Sequence, residues 1–157
     1  KRMQHIIKQF PESENEGFRA LGYTIGGMMI WPAIPKNGLR TINVERGFSA
    51  KIADRMDLTL ECIRRHYLGQ ASPMARVLTA NADYFALFRD FQGFVDFFLL
   101  QDLVSADYGA VQFFMSFDGF RPSPRPRSVD AYRAYREATI RFVHARNARI
   151  ADLKLLV

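Results

Sequence analysis

A mainly helical α+β fold is predicted by three observations. Apolar residues recur at helical spacing, as in Met56, Leu60, Ile63 and Tyr67, which lie four, three and four apart. Residues 23–31 are rich in β-formers, and the Asn37-Gly38 dipeptide that follows is a strong hairpin signal because both residues tolerate positive φ. Ten of the 14 phenylalanines lie between residues 85 and 120, which places an aromatic core there. The expected architecture is several helices around that core with a small antiparallel hairpin or sheet. The length of 157 residues, with 48% hydrophobic and 24% charged, suits a single domain over residues 1–157 and excludes disordered, collagen-like and disulfide-scaffold chains.

Residues 3–10 predict a short helix. The acidic stretch 11–17 reads as a connection or as the first turn of a second helix, where Glu12, Glu14 and Glu16 would suit the positive end of the helix dipole. Residues 23–31 predict a strand bounded by Pro32, with Gly26-Gly27 marking a bulge or a close backbone approach, and residues 39–43 predict the return strand. Ser49 predicts an N-cap for a helix from about residue 50, ended by Gly69. Ser72-Pro73 predicts the next helix start. Residues 83–104 have aromatics on every side and predict a buried helix, broken near Gly93. A third strand is expected around residues 111–115. The proline-arginine run 121–127 predicts an extended connector. Ser128 predicts the cap of a long helix over residues 128–152, with Tyr132, Tyr135, Thr139, Phe142, Arg146 and Ile150 along one stripe.

The net charge of +6 is uneven. Residues 1–120 carry 13 Lys/Arg and 13 Asp/Glu, whereas residues 121–157, Lys154 included, carry nine against three. Such asymmetry points to an anionic partner, either nucleic acid or an acidic protein surface. A single cysteine, Cys62, allows no internal disulfide or cysteine-based zinc site and fits a reducing cytoplasm. No apolar run approaches the roughly 20 residues of a membrane span, so no membrane partner is expected. The chain starts without methionine, from which the C-terminal part of a longer protein is expected.

The blocks Tyr23-Thr-Ile-Gly-Gly-Met-Met-Ile, Thr41-Ile-Asn, Arg46-Gly-Phe and the stretch 52–67, joined by 94–104 and Arg146-Asn-Ala-Arg-Ile, cover nearly the whole chain. Together they resemble an uncharacterised bacterial domain-of-unknown-function family of Gram-positive bacteria and their phages. The resemblance implies a bacterial cytosolic origin and a further N-terminal region that could complete the fold. It implies no reaction.

Three constellations could carry chemistry. In the first, Asp54, Arg55, Asp57, Glu61, Arg64, Arg65 and His66 share one helix region. Arg64 and Arg65 could hold a phosphate with His66 as acid or base, or they could pair with Glu61 three and four residues before them. In the second, Asp96 stands among Phe94, Val95, Phe97 and Phe98, which predicts a buried carboxylate facing an arginine. In the third, Arg40, Asn43 and Arg46 sit at a strand–turn–helix junction, a geometry suited to anions. No Walker or dinucleotide glycine pattern, nucleophile elbow or zinc-helix spacing is present, so no cofactor or metal is expected.

Two functional readings follow. One is a binding module whose basic C-terminal helix presents Arg133, Arg136, Arg141 and Arg149 to an anionic partner. The other is a metal-independent enzyme acting on a phosphate-containing substrate, nuclease- or transferase-like, with Arg46, Arg64, Arg65 and His66 around one pocket.

Overall fold

A computed structural model describes residues 2–153. The fold is all-α. Among the described residues, extended pairing amounts to one isolated antiparallel bridge between Val104 and Val111. This overturns the α+β expectation, and with it the hairpin and the third strand. The chain divides into two compact units, Lys1–Met29 with Phe114–Ser116 and Arg125–Val157, and Ile30–Phe113 with Phe117–Pro124.

The first unit contains α1 (Arg2–Ile7), α2 (Glu12–Gly22), a 3₁₀ turn (Ile25–Gly27) and α8 (Val129–Leu153). Helix α2 starts directly after Pro11, whose carbonyl accepts from the Glu14 and Asn15 amides at 3.1 Å. Its first turn carries Glu12 and Glu14, as the helix dipole favours. Ser128 caps α8 as expected, accepting from the Ala131 amide at 3.1 Å. Tyr132, Phe142 and Val143 of α8 are buried. Tyr132 meets the Phe10 ring edge-on at 5.2 Å, and Phe114 packs on Tyr135 and Phe142, each at 6.0 Å.

Residues 23–31 form no strand, because α8 takes the polar groups a strand partner would need. The Gly26 amide donates to Asn147 Oδ1 at 2.8 Å, and Asn147 Nδ2 donates to Thr24 Oγ1 at 2.9 Å. Arg146 Nη1 donates to the carbonyls of Gly26 and Met28 at 3.0 and 2.6 Å. Glycine is required at residue 26, since a Cβ there would lie 2.6 Å from the Val143 carbonyl oxygen. The close approach anticipated at Gly26-Gly27 is therefore real, but it is made to a helix rather than within a sheet.

The second unit contains α3 (Ile42–Phe48), α4 (Met56–Tyr67), α5 (Ala75–Ala80), α6 (Ala82–Ala86), α7 (Phe91–Phe97) and a 3₁₀ turn (Gln101–Leu103). Asn37 and Gly38 do form a tight turn, with φ of 53° and 69° and the Leu39 amide donating to the Lys36 carbonyl at 2.9 Å. The flanking strands fail for local reasons. Pro32 and Pro35 remove two amides before the turn. The leading segment is anchored to α6 instead, through Lys36 Nζ on the Asp83 carboxylate at 2.6 Å and Tyr84 Oη on the Ile30 carbonyl at 2.8 Å. After the turn, Thr41 caps α3 by accepting from the Val44 amide at 3.3 Å. Ser49 closes α3 rather than opening a helix, and Ala53 and Asp54 follow in left-handed conformations.

Helix α4 is the post of this unit, with every residue from Asp57 to Ile63 buried. Gly69 ends it at φ 65°, with the Gln70 amide returning to the Arg65 carbonyl at 2.8 Å. The aromatic stretch is two short helices rather than one. The break precedes Gly93, at left-handed Arg89, after which Asp90 caps α7 on the Gly93 amide at 2.8 Å. Phe85, Phe94, Leu100 and Leu103 are buried in the core, as are Leu60 and Ile63 of α4.

Candidate functional site

Charged side chains on α4 fasten the loops around it. Arg55 and Asp57 form a buried two-bond pair, with Nε on Oδ1 at 3.0 Å and Nη2 on Oδ2. Arg55 Nη1 also donates to the Pro124 carbonyl at 2.8 Å, tying down the end of the 117–124 segment. One turn on, Glu61 accepts from Arg64 Nε at 2.8 Å and from Arg65 Nε at 2.7 Å. Those hydrogen bonds hold the Arg64 guanidinium above its ordinary pKa. Arg64 Nη1 reaches the Gly109 carbonyl at 3.2 Å, Arg65 Nη1 the Ala71 carbonyl at 3.2 Å, and the Arg65 guanidinium lies over the Phe120 ring at 5.0 Å. His66 packs against the Phe85 ring at 5.0 Å, and burial lowers its pKa. Arg64 and Arg65 are thus satisfied by Glu61 and by main-chain oxygens, leaving no open phosphate cradle with His66.

The junction trio divides, with Asn43 and Arg46 in contact and Arg40 apart. Arg46 is buried, with Nε on Thr59 Oγ1 at 3.1 Å, an ion pair to Asp54 at 3.2 Å and the Trp31 ring at 5.5 Å. Burial lowers its pKa, and the Asp54 carboxylate opposes that shift. Asn43 Oδ1 accepts from Arg46 Nη1 at 3.4 Å, and exposed Arg40 stacks on Phe48 at 5.1 Å. Arg46 therefore works as a brace between α3 and α4, and Arg40 points elsewhere.

Asp96 is a correction. It is exposed and, among the described residues, pairs with no arginine; its Oδ1 accepts from Tyr108 Oη at 2.7 Å and Gln101 Nε2 at 3.2 Å. Helix α7 buries Phe91, Phe94 and Val95, leaving Asp96 and Phe97 outward. Asp57 and Glu61 are the buried acids of this fold.

The basic helix is also corrected in part. Arg136 is buried, ringed by Phe10 at 4.9 Å, Phe18 at 5.4 Å and Tyr132 at 5.8 Å, and it donates to the Glu14 carbonyl at 3.0 Å. Arg146, placed with the apolar stripe by its spacing, is buried there, and burial lowers its pKa. Ile150 is half-buried. Arg133 and Arg141 are exposed and Arg149 is half-buried; Arg133 pairs with exposed Asp130 at 3.1 Å. Lys154 lies outside the described residues.

Charge separates by unit. The unit containing α8 holds 12 Lys/Arg and six Asp/Glu, whereas the unit built on α4 holds ten of each. The first unit has a groove of about 450 Å³ between α2 and α8, and the second a shallow cleft of about 410 Å³ between the Asn37 turn and α5. Neither is lined by Arg46, Arg64, Arg65 or His66. Among the described residues, no group of three or more His, Cys, Asp or Glu could hold a metal ion. No described helix is long and apolar enough to cross a membrane.

A family model matches residues 1–150. The chain belongs to a family of unknown function (DUF6994). No curated protein and no solved structure was found to match it. For this family member, function must be argued from its own geometry. Sequence reasoning missed two features. One is the Arg146–Asn147 clamp, signalled by an arginine on an apolar stripe. The other is the α2–α8 groove, signalled by the spacing of Glu14, Gly17, Phe18 and Leu21 along α2.

Proposed function

We propose that the protein is a binding module that takes a polyanion, a nucleic-acid backbone, on the unit containing α8. The observation that carries this reading is the charge segregation: that unit accounts for the whole net charge of +6. Exposed Arg125, Arg127, Arg133 and Arg141, with half-buried Arg149, are the side chains placed for contact. The Arg133–Asp130 pair is exposed, so phosphate can displace the carboxylate at little expense. Arg136 and Arg146 add to the long-range field but not to the contact surface, because both are committed to the fold.

Such binding follows counterion release and carries little sequence preference. The bacterial cytoplasm is the setting this reading assumes. The enzyme reading draws no support from the α4 cluster, where the cations are satisfied internally. The test is fluorescence titration with labelled RNA and DNA of about 20 nucleotides, and with an Asp/Glu-rich peptide of equal charge, at about 50 and about 200 mM salt. Tighter binding of both nucleic acids than of the peptide, weakening steeply with salt, is expected. Preference for the peptide would move the reading to an acidic protein surface, and no binding at low salt would end it.

A further inference from the structure

The shallow cleft beside the Asn37 turn lies wholly within the unit built on α4. Around α4 itself the arginines are engaged: Arg46, Arg55, Arg64 and Arg65 each hold a carboxylate. In the cleft the polar groups are not. Asn37, Arg76 and Thr79 line it, and among the described residues none of these three side chains makes a hydrogen bond or an ion pair. No carboxylate lines the cleft. Asp83, on the adjoining helix α6, is already paired with Lys36 at 2.6 Å. Leu39, Ala75 and Ala80 supply the apolar part of the lining. Both walls are fixed. Helix α5 turns Val77 and Leu78 into the core, which leaves Arg76, Thr79 and Ala80, at spacings of three and four, on its outer face. The facing turn is closed by the Leu39 amide on the Lys36 carbonyl at 2.9 Å, holds Asn37 at φ 53°, and is anchored to α6 by the Lys36–Asp83 pair. At about 410 Å³ the cleft stands at the small end of the range of ligand sites.

We propose that this cleft binds a small organic monocarboxylate, with its carboxylate on the Arg76 guanidinium and its short apolar body on Leu39, Ala75 and Ala80. The Asn37 side-chain amide and the Thr79 hydroxyl are the further donors to that carboxylate. One guanidinium matches one carboxylate, whose two oxygens accept two parallel N–H bonds. The apolar lining selects against a bare inorganic anion, which would leave it in water. A neutral ligand of the same shape would gain only the apolar contact, and a cationic one would be repelled by Arg76. Donors already held in place by α5 and by the closed turn lower the ordering cost of binding. This proposal stands independently of polyanion binding, which uses the other unit and other side chains.

The test titrates the full chain, ¹⁵N-labelled, with hexanoate, hexanol, hexylamine and inorganic phosphate at one ionic strength. Hexanoate should shift the amides of Leu39, Arg76, Thr79 and Ala80 with a Kd of about 1 mM, as befits a small probe in an open cleft. Hexanol and phosphate should bind about tenfold more weakly, and hexylamine should shift none of these amides. Arg76→Gln, at an exposed position, should weaken hexanoate about tenfold while the melting temperature holds. Arg76→Lys, which keeps the charge but loses the planar fork, should fall between the two. Thr79→Val removes the hydroxyl and keeps the shape, and Asn37→Gly removes the amide while glycine tolerates the positive φ of the turn; each should weaken hexanoate about threefold. The proposal is overturned if hexanoate shifts none of those four amides, or if Arg76→Gln binds it as wild type does. It is also overturned if hexanol or inorganic phosphate binds as tightly as hexanoate, since the site would then select no carboxylate or no apolar body.

Discussion

Removing the Asp57 carboxylate should be among the most damaging single changes in the protein. Asp57 is 0% exposed and Arg55 5%, and the two share two hydrogen bonds. In Asp57→Ala the guanidinium stays buried with its main neutralising partner gone, which costs about 3–5 kcal/mol. The Arg55 bond to the Pro124 carbonyl remains but supplies only about 1 kcal/mol. For a protein of ordinary stability, about 5–15 kcal/mol, the loss is a large share of the total. In urea, with a slope of about 2 kcal/mol per molar, the midpoint should fall by roughly 2 M. The control is the double change Arg55→Met with Asp57→Leu, which removes both charges and keeps most of the volume. It should recover much of the loss, because no charge is left buried. Equilibrium urea unfolding followed by circular dichroism checks both. A loss below about 1 kcal/mol for Asp57→Ala, or a double variant less stable than the single, would refute the assignment of this pair as a buried, mutually dependent clamp.

Gly26→Ala should destabilise by about 1–3 kcal/mol, read as a lower melting temperature, because its Cβ would press on the Val143 carbonyl and the Asn147 side chain. Gly38→Val should cost about 1–2 kcal/mol in urea unfolding, since valine resists the φ of 69° held there. Cys62 should resist iodoacetamide at about pH 8 until the protein is denatured: burial pushes its thiol up to about 12, so the folded state holds almost no thiolate. For His66, burial lowers the folded pKa below the unfolded value of about 6.5, so the unfolded state binds the extra proton first. Stability should therefore fall as pH drops through about 6.5, and that decrement should be absent in a His66→Phe variant compared by urea unfolding across the same range.

Local signals were legible where the chain decides its own conformation. The Asn37-Gly38 turn, the Gly69 stop and the Ser128 cap each rest on one or two residues and their dihedral preferences, and the helix ended by Gly69 rests on apolar spacing, though it begins at Met56 and not near residue 50. What failed were inferences that depended on a distant partner. Residues 23–31 have strand composition, yet Asn147 and Arg146, more than a hundred residues away, take their hydrogen bonds. Asp96 has aromatic neighbours in sequence, but α7 is short and faces the core with one side, so Phe97 is exposed beside it. Spacing placed Arg146 on the buried stripe of α8 correctly, but it could not show that Arg136 is also buried, because the Phe10–Phe18–Tyr132 box closes around it only in three dimensions. Of the site, the Glu61 pairs with Arg64 and Arg65 were legible from spacing alone.

The central claim, that the α8 unit binds polyanions through exposed Arg133 and Arg141 and half-buried Arg149, is tested most directly by the slope of log K against log salt. It should be measured for wild type and for the triple variant Arg133→Gln, Arg141→Gln, Arg149→Gln. Arg136 is kept, since its loss would disturb the fold. With labelled single-stranded RNA, each lost phosphate contact should reduce the slope by about 0.7, so the variant should be shallower by about two. Its affinity at low salt should fall by an order of magnitude or more while its melting temperature holds. A variant with the wild-type slope and affinity, or a wild type whose binding ignores salt, would contradict the account.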